Sequence, residues 1–171
     1  NNVSVIDGAS NSVVAIVNVS SGPVGVGVNA TTNRIYVTNN WSNNVSVIDG
    51  ASNSVVDTVK VGLSPRGVAV DPTYNRIYVA NNGSNDVSVI DGARDFVVTT
   101  VNVGNGPRSV GVYPGVHHIY VTNYWSDTVS VIDEWLLGDA NGDGIVNMGD
   151  VIKAERMILG LDPATPGADA N

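Results

Sequence analysis

Six residues near the end of the 171-residue chain combine hard oxygen donors with a regular spacing: Asp139, Asn141, Asp143, Ile145, Asn147 and Asp150, in GDANGDGIVNMGD. A calcium loop of the EF-hand type takes oxygen ligands at loop positions 1, 3, 5, 7, 9 and 12 and a glycine at 6, where the backbone turns sharply. With Asp139 at the first position, Asn141, Asp143, Asn147 and Asp150 offer side-chain oxygens, Ile145 offers its carbonyl, and Gly144 stands at the turn. The chemistry this pattern predicts is the binding of calcium. The stretch that follows, VIKAERMILG, places Val151, Ala154 and Ile158 on one helical face with Ile152 and Leu159 beside them, then Gly160 as a C-cap and Pro163 just beyond. The spacing therefore predicts a loop followed by a helix, with no entering helix, because Glu134–Leu137 is too short to form one.

A metal loop needs a body to hold it, and the rest of the chain reads very differently. The formal net charge is −8, and six acids against two bases (Lys153 and Arg156) fall from Asp139 onward, so half of it lies in about the last fifth of the chain. That asymmetry marks a boundary near Leu137. The acidic balance disfavours nucleic acid and anionic membrane as partners. There is no cysteine, which excludes a disulfide framework and a thiolate zinc site. No apolar run reaches the roughly 18 residues that span a bilayer, so membrane insertion is not expected. Apolar residues make up 43% of the chain but aromatic ones only 6%, so the core must be built of Val, Ile and Ala.

Upstream of the boundary the sequence repeats itself. NNVSVIDGASNSVV at Asn1 recurs at Asn43, as NDVSVIDGARDFVV at Asn85, and begins again as DTVSVIDEW at Asp127, a period of 42 residues without insertion or deletion. Each period holds four β-branched runs bounded by Gly, Pro, Asn or Asp. In the middle copy these are Gly67–Val70, Arg76–Ala80, Val87–Ile90 and Val97–Val103. Four antiparallel strands in about 40–45 residues, repeated, are the signature of a propeller blade. The fold class expected is thus all-β, with β-propeller blades over 1–134 and a small α loop–helix calcium module over 138–171. The phase gives the last two strands of one blade, two complete blades and three strands of another. Three periods do not close a ring, so completion is expected from further sequence or from copies assembling with one another.

The motifs NRIYVTN, NRIYVAN and HHIYVTN, each followed by VSVID, resemble the YVTN family of β-propeller repeats, which occurs in surface-layer and secreted proteins. GDANGDGIVN closing with ILG resembles the first half of a type I dockerin, whose second half would open at Gly167 with GADAN. This resemblance implies a cohesin-like protein module as partner. In the family the residues at loop positions 10 and 11 often help to set specificity; here they are Met148 and Gly149, not the familiar Ser/Thr pair, and Lys153 completes the expected partner surface. Together the resemblances imply an extracellular or cell-surface protein, a non-catalytic binding scaffold attached through calcium. The alternative is the accessory part of a polysaccharide-degrading enzyme, or a propeller lyase or hydrolase, with its site in other blades.

Within the repeats, departures from the pattern are few. Asn-Arg becomes His117-His118 in the last copy, where a turn substitution is expected. The tip residue after Asn40, Asn82 and Tyr124 is Trp41, Gly83 and Trp125. Trp41 and Trp125 fit either a rim platform for a sugar or protein, or aromatics folded over a neighbouring blade. The repeated Asp-Gly aspartates read as turn formers. Asn2, Asn18, Asn29, Asn40, Asn44 and Asn82 stand in N-x-S/T sequons, acceptors of glycan if the protein is exported.

Overall fold

A computed structural model describes residues 1–115 and 118–133. The expected calcium loop, its helix and the partner residues Met148, Gly149 and Lys153 lie outside the described residues, as does His117.

All regular structure among the described residues is β-strand: β1 (Asn2–Asp7), β2 (Ser12–Asn18), β3 (Pro23–Asn29), β4 (Arg34–Asn39), β5 (Asn44–Asp49), β6 (Ser54–Lys60), β7 (Pro65–Asp71), β8 (Arg76–Asn81), β9 (Asp86–Asp91), β10 (Phe96–Asn102), β11 (Pro107–Tyr113), β12 (His118–Asn123) and β13 (Thr128–Asp133). They form a two-stranded sheet β1-β2, two four-stranded sheets β3-β4-β5-β6 and β7-β8-β9-β10, and a three-stranded sheet β11-β12-β13, every pairing antiparallel. The inner strands follow one another, β3 against β7 and β7 against β11. These are propeller blades in the phase the repeat predicts.

The turns explain why the chain folds back so regularly. Asn11, Asn33, Asn43, Asn53, Asn75, Asn85, Asp95 and Asp127 all adopt positive φ, between 50° and 60°. Asn and Asp tolerate this left-handed region best among residues with a side chain, and eight hairpins among the described residues end on one. The repeat aspartates brace three of these same turns from their other end, with Asn11, Asn53 and Asp95 donating to the Asp7, Asp49 and Asp91 carbonyls. Asp49 Oδ1 accepts hydrogen bonds from the Ser52 amide at 2.8 Å and the Ser52 hydroxyl at 2.9 Å, and Asp7 does the same with Ser10. Those donors hold both carboxyls below the ordinary 3.8.

The core lies between blades. Tyr36, Val45 and Val47 of one sheet pack with Ile77, Val79 and Ile90 of the next, and Tyr78, Ala80, Val87 and Val89 with Val110, Ile119 and Val121 of the one after. Inner strands meet by size matching. A β-carbon on Gly27 would sit 3.3 Å from the methyls of Val68 and Val70, and one on Gly25 would run into the Arg66 carbonyl. Small residues on one blade thus receive valines of the next. At the two ends this matching is unfilled. Val26 is 55% exposed where its equivalent Val110 is 8% exposed, Tyr120 is 40% exposed where Tyr36 is fully buried, and a β-carbon on Gly111 would meet nothing within 4 Å.

The asparagine that ends the IYVTN and IYVAN motifs has a defined task. Asn39, Asn81 and Asn123 each donate through Nδ2 to a serine on the adjoining strand, Ser46, Ser88 and Ser130, at 2.9, 2.8 and 2.9 Å. The same amide reaches Asn44, Asp86 and Thr128 across the turn. This pins the hairpin that carries the tip residues 41, 83 and 125.

Candidate functional site

At one end of each blade the turn between its second and third strands meets the connector arriving from the preceding blade. The junction is latched identically in each copy. Ser42, Ser84 and Ser126 hydroxyls accept from the amides of Ser21, Leu63 and Asn105 at 2.9, 3.0 and 3.1 Å. Asn1, Asn43 and Asn85 carboxamide oxygens accept from the amides of Gly22, Ser64 and Gly106 at 3.1, 2.8 and 2.8 Å. The backbone adds its own bonds, Trp41 N to Ser21 O at 3.2 Å and Trp125 N to Asn105 O at 3.1 Å.

On this rigid frame stand Trp41 and Trp125, 78% and 64% exposed. Each indole packs against a glycine of its connector, so close that a β-carbon there would come within about 3.0 Å of the ring: Trp41 against Gly22 and Trp125 against Gly106. Both glycines have positive φ, 73° and 63°. In the middle copy the tip is Gly83, the aromatic is missing, and the connector carries Ser64 instead of glycine. Both rings rest on the connector of their own blade and leave most of their surface to solvent.

Beside the latch each inner strand carries a β-bulge. The register slips between Pro23 and Gly25, between Pro65 and Val68, and between Pro107 and Ser109. A bulge re-aims the side chain of the extra residue, and the residues at that position are Val24, Arg66 and Arg108. Arg108 places its guanidinium carbon 4.4 Å from the centre of the Tyr124 ring. Four other cationic or potentially cationic side chains are matched to acids: Arg34 to Asp49 at 3.7 Å, Arg76 and Arg94 to Asp91 at 3.2 and 3.9 Å, and His118 to Asp133 at 2.6 Å. Among the described residues no carboxylate pairs with Arg66 or Arg108. Neither arginine was singled out in the sequence, although the alignment of Val24, Arg66 and Arg108, and of Asn40, Asn82 and Tyr124, held the signal.

His118 stands at the mouth of β12, directly across from Asp133, as Arg34 faces Asp49 and Arg76 faces Asp91. The histidine thus keeps the cross-strand pairing of the repeat. Two sequons lose their acceptor role: Asn29 is fully buried and donates to Asn75 at 2.8 Å, and Asn82 is buried against the Pro107 carbonyl. Asn2 and Asn18 are exposed. Among the described residues no group of three or more His, Asp or Glu side chains converges on a metal position.

Comparison with known proteins bears on the fold. The profile of the family described as YNCE-like beta-propeller matches residues 1–76. The described chain is built of β-propeller blades. Among solved structures it is similar to Kuenenia stuttgartiensis hydrazine synthase, at 29% identity and a TM-score of 0.72, over 77% of this chain and 40% of that one. It also resembles in fold a functionally unknown protein from Desulfotomaculum acetoxidans, at 17% identity and a TM-score of 0.63, over 77% of this chain and 47% of that one. A third likeness of fold is apo AztD from Citrobacter koseri, at 19% identity and a TM-score of 0.52, over 61% of this chain and 29% of that one. The chain therefore spans less than half the length of each. No curated protein matches it.

Proposed function

We propose that this chain belongs to a secreted or cell-surface binding protein: a YVTN-type propeller that recognises an extracellular glycan, held in place through a calcium-loaded, dockerin-like segment and a cohesin-like partner. The observation that carries the binding role is the pair of exposed tryptophans, Trp41 and Trp125, each seated on a glycine and fixed by latch bonds. A flat, rigid aromatic exposed at a rim offers large contact area at low entropic cost. The role is non-catalytic on this reading, because the repeat aspartates Asp7, Asp49 and Asp91 spend their carboxylates on turn amides and ion pairs. The two open end faces take further blades of the same repeat, supplied by more of the chain or by another copy.

The attachment role rests on the donor set in the sequence. Asp139, Asn141, Asp143, Asn147 and Asp150 are all hard oxygen donors, which suits calcium. Bound calcium would order the loop and so present Met148, Gly149 and Lys153. Affinity electrophoresis of the intact chain against a panel of neutral and acidic polysaccharides tests the first part; retention by at least one supports it and retention by none overturns it. Calorimetry tests the second: Asp143→Ala should weaken calcium binding, and unchanged affinity would remove the loop assignment.

A further inference from the structure

We infer that the two open ends of the blades fit one another: β11–β13 of one copy dock on β2 and β3 of a second copy, with β13 taking the place that β1 holds. The same joint made twice closes a ring of two copies. This makes specific the reading that the open ends take further blades, and rests on it.

The interior joints give the pattern. Gly27 receives Val68 and Val70 of the following blade, Tyr36 packs against Ile77 and Val79, and Thr38 donates to the Arg66 carbonyl at 2.6 Å. Both halves of such a joint stand unfilled at the ends. On one, a β-carbon at Gly111 meets nothing within 4 Å, Tyr120 is 40% exposed, and the Thr122 hydroxyl reaches only Ser109 of its own blade among the described residues. On the other, Val26 and Val28, the counterparts of Val68 and Val70, are 55% and 59% exposed.

β1 shows how one strand of the joint is seated. Val3 and Val5 pack against the cluster of Val17, Val37 and Ile48, and β1 pairs with β2 in the register in which β5 pairs with β6. β13 reads TVSVID where β1 reads NVSVID. Its Val129 and Val131, the counterparts of Val3 and Val5, are 59% and 54% exposed. Exchanging β1 for a second copy's β13 therefore keeps the strand pairing and the apolar contacts, and brings β11 and β12 over Val26 and Val28. That adds buried apolar surface without losing any strand pairing. One interior bond has no counterpart. Asn40 and Asn82 donate to the Pro65 and Pro107 carbonyls of the next blade, and Tyr124 stands at that position. The joint between copies is weaker by that bond, which suits one that opens and closes with concentration.

The sequence after Asp133 is no rival for this face. Positions 138–144, which the 42-residue period assigns to a fourth strand, read GDANGDG, and Pro163 stands where Val37, Val79 and Val121 stand. Such glycine- and proline-bearing runs are not expected to continue the strands of the repeat. With β1 exchanged, each copy contributes β2–β13, the strands of three blades. Two copies then lie within the roughly 4–8 blades at which propellers close.

Sedimentation velocity of the 171-residue chain over a concentration series should show single copies giving way to a species of two, and none larger. Val26→Asp puts a carboxylate where Gly111 of the second copy would face it, and should weaken association at least about tenfold. Val56→Asp, 50% exposed on an outer strand away from both ends, should leave association unchanged. Both variants should melt like the unaltered chain at concentrations that keep copies apart. A single copy at every concentration, growth of ever larger species, or undiminished association of Val26→Asp overturns the two-copy ring. A single copy leaves standing the reading that more of the chain supplies the further blades, and none of these results bears on the glycan or calcium readings.

Discussion

At the residue scale, the repeat is held by a few polar side chains with two jobs each. Thr38 is buried, accepts from the Gly25 amide at 2.9 Å and donates to the Arg66 carbonyl of the next blade at 2.6 Å. Thr38→Val keeps the shape but strands both groups, so a denaturant melt should show a loss of about 1–3 kcal/mol; no loss would mean water replaces the hydroxyl freely. Tyr36 gives a pH signature. Burial, and secondarily the charge of Asp95, push its hydroxyl from 10.0 up to about 12. A raised folded value means the stability is fully present below pH 10 and is lost as pH rises toward 12. Tyr36→Phe should therefore flatten the fall in melting temperature across that interval. An identical fall in both proteins would show that other groups govern it. Asp7 and Asp49 run the opposite way: their lowered values add stability above 3.8 that is lost as pH falls through them.

At the scale of the element, the strands, their turns and their order were legible in the sequence because each β-branched run is bounded by turn residues at a fixed spacing. β7 illustrates the limit. The pattern gives Gly67–Val70, whereas the strand begins at Pro65, because a bulge there depends on pairing with β8 and leaves no mark in the hydrophobic alternation. For the same reason the hydrophobic pattern does not mark Arg66 and Arg108, whereas Trp41 and Trp125 are distinguished by residue type alone. The meeting of Arg34 with Asp49 and of His118 with Asp133 also depends on register. Blade-to-blade matching makes a sharp comparison. Gly27→Val adds methyls where a β-carbon already lies 3.3 Å from Val68 and Val70, and should cost about 1–3 kcal/mol. Gly111→Val occupies the same repeat position on the open end and should cost less than about 0.5 kcal/mol. Equal losses in thermal melts would contradict the size-matched packing.

At the scale of the whole molecule, constant and variable residues separate by role. Constant ones build the frame: the buried tyrosines and valines between blades, the motif asparagines, the turn aspartates and the latch serines. Variable ones gather at the latched head, where Trp41, Trp125 and Arg108 lie open to solvent. A frame that repeats and a head that does not is the arrangement the proposed binding role requires, and removing the head aromatics should leave the frame intact. The direct test is the double variant Trp41→Ala/Trp125→Ala, compared with the unaltered chain by thermal melting and by retention on an immobilised glycan that the unaltered chain binds. The account predicts a melting temperature within a few degrees of the original and retention reduced by at least about tenfold. Undiminished retention by a folded double variant would contradict it.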